Sequence, residues 1–91
     1  MGKYENIFVR TFEGQQEIIK DMYDYSTVRD LKEATGAQIG QNPDHIRLVW
    51  NGRELNDTDT DDKGELLTLK DHDIVDEATV HMIIEVPGGS Q

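Results

Sequence analysis

Residues 46–55 read IRLVWNGREL, and this stretch constrains the fold more tightly than any other in the chain. Ile46, Leu48 and Trp50 alternate with Arg47 and Val49, the period of a strand with one buried face. Asn51 and Gly52 follow, the pair that adopts the left-handed backbone of a two-residue hairpin turn at the least steric cost. The chain therefore reverses direction into residues 53–55. A lone hairpin is at best marginally stable in water, so further strands or a helix must cover its apolar side.

The rest of the sequence supplies both. Residues 78–86 (ATVHMIIEV) are the most strongly β-forming run, and residues 6–12 (NIFVRTF) alternate with Ile7 and Val9 on one face. Gly14 then turns the chain into residues 17–22 (EIIKDM). In this second arm Ile18 and Met22 share a parity that Ile19 does not, and Lys20 falls between them, so an irregularity is expected there. Residues 26–36 form a helix capped by Ser26 or Thr27, with Val28, Leu31 and Ala34 spaced three apart and Gly36 as the stop. Ile39 joins its inner face if the helix runs on towards Gly40. Residues 42–44 (NPD) are a loop, residues 66–69 a short apolar anchor, and Ile74 is inserted into the core from a turn.

With 91 residues and 35% hydrophobic content, one core is all the chain can build. Residues 1–5 read as an N-terminal extension to that core. There is no cysteine, which removes disulfides, thiolate metal sites and thioester-forming nucleophiles. No run approaches the roughly 20 apolar residues of a membrane-spanning helix. The first residues lack the apolar centre of a secretory signal, so cytoplasm or nucleus is the expected location. A net charge of −10 repels a phosphate backbone and an anionic bilayer alike; nucleic acid and membrane are not expected partners, and a monomer is the expected state.

Residues 56–65 (NDTDTDDKGE) are polar throughout and read as a solvated loop. The alternation Asp57, Asp59, Asp61 has the look of a calcium loop, but the sixth position is Asp62 in place of glycine and the twelfth is Thr68 in place of glutamate. His45, His72 and His81 are scattered without metal-ligand spacing. No phosphate-binding glycine loop, nucleophile elbow or framed carboxylate pair is present, so neither enzymatic activity nor a cofactor is expected.

Taken in order, IFVRTFEG, STVRDLK, NPDHIRLVWNGREL, LKDHDI and ATVHMIIEVPGG resemble ubiquitin and its relatives across nearly all of residues 6–89. The acidic stretch near 56–65 stands out as an insertion of about eight residues. The resemblance implies an α+β fold of the β-grasp type, a mixed four- to five-stranded sheet packed on one helix over residues 6–86, with residues 87–91 as a flexible Gly-Gly tail. It also implies a use for that tail. In ubiquitin-like modifiers the last glycine carboxylate is activated and transferred to an amine, which here would require removal of Ser90 and Gln91 to expose Gly89 after Gly88. Activating and conjugating enzymes and a processing protease would then be partners. Glu85 and Pro87 stand where ubiquitin has arginines, which opposes charging by the ubiquitin-specific activating enzyme. The alternative is an interaction domain whose GGSQ begins a linker.

The resemblance further implies a docking patch of Phe12, Val49, His81 and Ile83 for ubiquitin-binding-type helical domains, flanked by Arg47 and Arg53 as contacts for acidic partner residues. Parity supports the patch independently: Val49 lies opposite in sense to Leu48 and Trp50, and Ile83 to Met82 and Ile84. Arg53 occupies the place of the family's principal chain-forming lysine and cannot serve as an amine nucleophile. Lys32 on the helix and Lys63 in the acidic loop are the other lysines weighed as acceptors; partial burial would make Lys32 a poor one.

Overall fold

A computed structural model describes residues 2–85 of the chain. Its strands are β1 (Lys3–Tyr4), β2 (Ile7–Thr11), β3 (Gln16–Ile19), β4 (Met22–Tyr23), β5 (Ile46–Trp50), β6 (Arg53–Leu55) and β7 (Thr79–Ile84). One α-helix, α1 (Val28–Ile39), and a 3-10 turn at Pro43–His45 lie between β4 and β5. The main sheet runs β3-β2-β7-β5-β6, with β2 and β7 parallel and every other neighbouring pair antiparallel. This is the mixed five-stranded β-grasp sheet, and α1 crosses one of its faces.

The middle hairpin forms as its residues dictate. Asn51 and Gly52 take positive φ values of 57° and 80°, and the register pairs Trp50 with Arg53, Val49 with Glu54 and Leu48 with Leu55. Leu48 and Leu55 are thereby placed on the buried face, under the helix stripe of Val28 and Leu31. Leu69 and Ile74 complete the core from the long connection between β6 and β7. Leu69 is the anchor of residues 66–69, whereas Leu66 points to solvent.

The structure corrects the sequence reading at the N-terminal residues and at the helix end, and places the irregularity expected in the second arm. Lys3 and Tyr4, assigned to an N-terminal extension, pair with Tyr23 and Met22 as β1 and β4. Tyr4 is buried and its hydroxyl donates to the Ile74 carbonyl, while the Asp76 carboxylate accepts from the Glu5 and Asn6 amides and fixes the joint into β2. The irregularity expected in 17–22 lies at Lys20–Asp21. Asp21 has φ 66°, which ends the inward parity of Ile19 and restarts it at Met22, so Ile18 faces out against Phe8.

The helix also passes through Gly36 and ends at Gly40, whose φ of 76° is the left-handed cap. Gly36 serves close packing: a Cβ there would lie 2.5 Å from the Gln41 carbonyl oxygen. At the other end Thr27 and Asp30 form a reciprocal capping box.

The polar insertion is more ordered than its composition suggests. The Asp61 carboxylate accepts from the amides of Lys63 and Glu65 at 2.9 and 3.0 Å, and Thr60 bridges Leu66. Hydrogen bonds to a short side chain supply what an apolar core would otherwise provide. Asp57 reaches back to α1, 3.5 Å from Arg29 and 3.7 Å from the largely buried Lys32.

Candidate docking face

With α1 on one side of the sheet, the outward parity of the strands is left uncovered. Val49 on β5 pairs with His81 on β7, and Arg47 pairs with Ile83. The parallel register of β2 on β7 sets Arg10 beside His81 and carries the chain past Thr11 to Phe12. There the β2–β3 turn is held by the Gly14 amide on the Thr11 carbonyl and by the Gln15 amide on the Thr11 hydroxyl. That turn projects Phe12, 66% exposed, back over the sheet, where its ring stacks on His81 at 4.9 Å and 14°.

Phe12, Val49, His81 and Ile83 are thus brought together on one face. Ile83 is 40% exposed, and Val49 and His81 are half-buried. Stacking on His81 holds an aromatic ring in water that would otherwise be free to rotate, at a modest energy typical of ring pairs.

The two arginines fare differently. The Arg47 guanidinium donates through Nε and Nη2 to both carboxylate oxygens of Glu54 at 2.9 and 2.7 Å, and through Nη1 to Glu85 at 2.6 Å. These bonds raise the Arg47 pKa and hold the Glu54 carboxyl below its ordinary value, with the Arg47 hydrogen bond as the main cause. Arg47 is therefore occupied within the fold, contrary to the expectation that it awaits acidic partner residues. Arg53 does not share the patch's parity. It lies across from Trp50, at the end of the hairpin, and borders a cleft with Trp50, Asp59 and His72.

Sequence reasoning passed over Phe8 and Ile18, which pair on the same outward face at the β2–β3 edge. Ile18 is 44% exposed and Phe8 half-buried. The signal for Phe8 was present, since it alternates with Ile7 and Val9; that for Ile18 was obscured by the break at Asp21.

Lys32 is buried, and Lys63 is exposed. Gly88 and Gly89 lie outside the described residues. Among the described residues no group of three or more His, Asp or Glu side chains could hold a metal ion, and Asp61 of the calcium-like alternation is engaged as a turn cap.

A family model described as the ubiquitin family matches residues 7–87. Ubiquilin-4 of Mus musculus and ubiquilin-4 of Homo sapiens are each 29% identical to the chain over 85 residues, 93% of its length. The chain spans 13% and 12% of the lengths of those two relatives. Residue order, β-grasp topology and a family match over most of its length agree that this chain belongs to the ubiquitin family.

Proposed function

We propose that this ubiquitin-like domain acts by being bound, taking an amphipathic helix or a small helical bundle on the uncovered face of its sheet. The observation that carries this reading is the Phe12–His81 stack set beside Val49 and Ile83 on the side away from α1. An exposed apolar cluster of this kind gains free energy when an apolar helical stripe excludes water from it, at about 25 cal/mol per Å² covered. The relatives add weight, because the matching stretch in them is a small part of a much longer chain.

The test is calorimetry with a synthetic amphipathic helical peptide. Val49→Asp places a carboxylate at the centre of the patch without touching the core and is expected to weaken binding at least about tenfold, since a desolvated charge costs more than 1.4 kcal/mol. Circular dichroism checks that the fold persists. Undiminished affinity of the variant would remove the face from consideration.

A second reading, a conjugated modifier trimmed to Gly89, is favoured by the Gly88-Gly89 pair, which sits the same distance after residues 78–82 (ATVHM) as the Gly-Gly of ubiquitin-like modifiers. Glu85 speaks against recognition by a ubiquitin-type activating enzyme, because its carboxylate also neutralises Arg47. Intact mass measurement from native cells separates the two: a species ending at Gly89, or an adduct through it, supports the modifier, and their absence supports the docking domain.

A further inference from the structure

The rim of the patch is charged, and its charges bear on what can flank a partner's apolar stripe. Glu54 stands beside Val49 by register, Glu85 follows Ile83 at the same parity, and Glu13 borders a shallow cleft with Phe12 and Ile83. Arg47 lies among them and donates to both Glu54 and Glu85. One guanidinium against two carboxylates leaves this triad with a net charge of −1. Arg10, beside His81, is the cation on the far side of the patch, and no carboxylate lies within ion-pair distance of it among the described residues.

A partner carboxylate approaching Arg47 would have to displace one of two carboxylates held at 2.6–2.9 Å and would still face the repulsion of the other. A partner lysine or arginine supplies the cation that the triad lacks. The chain's charge of −10 steers basic segments towards it over a longer range. Resting on the docking reading above, we propose that the helix this face accepts carries basic residues beside its apolar stripe, positioned over Glu54 and Glu85, with at most a single acidic residue at the Arg10 end.

Three synthetic helical peptides with one apolar stripe and lysine, glutamine or glutamate flanks test this against the intact chain. The lysine-flanked peptide is expected to bind at least about fivefold more tightly than the glutamate-flanked one at low salt, and the gap should narrow as salt screens it. In the double variant Glu54→Gln, Glu85→Gln the triad loses both carboxylates, Arg47 becomes an unpaired cation, and the preference is expected to invert. Glutamine-flanked peptide sensitive to Val49→Asp, with no lysine preference or no inversion, would overturn the charge rule and leave the docking face standing. If that neutral peptide fails to bind, or binds independently of Val49, the docking face falls and the charge rule with it.

Discussion

At the scale of single residues, Arg47 shows why identity and parity do not suffice to describe a site. Its position on the outward face follows from the alternation of residues 46–50, but its engagement does not. Glu54 and Glu85 are seven and thirty-eight positions away, and a hairpin and a non-local strand pairing are needed to bring them within hydrogen-bond reach. The Glu54 carboxyl should titrate below its ordinary value of 4.5 because the Arg47 hydrogen bond favours the ionised form. The sign is that of a depressed carboxylate: the pair's contribution is complete above the ordinary glutamate range and disappears as pH falls through the lowered value. Carbon-detected NMR titration of Glu54 checks this, and Arg47→Gln should return its midpoint towards 4.5. A wild-type midpoint at or above that value would mean the bidentate pair does not persist in solution. Phe12, Val49, His81 and Ile83 were legible from parity and family position; the placement of Arg53 on the other parity follows from its pairing with Trp50 across the two-residue turn, a register that family position alone does not convey.

At the scale of elements, two contacts fix how α1 meets its neighbours, Gly36 against Gln41 and Asp57 against Arg29 and Lys32. Gly36 lies inside α1, where alanine would ordinarily add about 1 kcal/mol of helix propensity. The Gln41 carbonyl oxygen, 2.5 Å from the site of the added carbon, is backbone and cannot step aside without moving the turn that follows. Gly36→Ala is therefore expected to destabilise the domain by about 1–2 kcal/mol in a denaturant titration, overpacking outweighing propensity. Unchanged or increased stability would show that the Gln41 segment yields. Asp57 joins the insertion to α1 through Arg29 and the buried Lys32. Asp57→Asn is expected to cost roughly 1 kcal/mol, because it leaves a poorly hydrated ammonium without its carboxylate. Faster amide exchange across residues 57–67 would accompany that loss, and identical exchange in both proteins would contradict the anchoring. The polar loop read as fully solvated is tied down in part by a contact distant in sequence, Asp57 to Arg29 and Lys32, whereas the glycine read as a helix stop is passed because the left-handed cap falls four residues later, at Gly40. The hairpin at residues 51–52 and a helix cap at Ser26 or Thr27 were legible because each is set within a few residues, and Thr27 is the cap.

At the scale of the whole molecule, the β-grasp arrangement makes a division of labour. A five-stranded sheet with one helix can bury one face only, so every outward apolar residue is retained at the expense of solvation. Residues 7–84 build the inward face almost entirely from β-branched and leucine side chains, and the outward face carries the aromatic stack, Val49, Ile83 and the Arg47 triad. The topology was accessible from the order of motifs. The incorporation of Lys3 and Tyr4 into the fold was not, because Tyr4 finds its hydrogen bond seventy residues away. The most direct measurement of the central claim is amide chemical-shift mapping of the intact chain titrated with the glutamine-flanked helical peptide. Shifts concentrated on Phe12, Val49, His81 and Ile83, with α1 unaffected, are the predicted result; shifts centred on α1 or the residue 56–65 insertion, or none at saturating peptide, would contradict it.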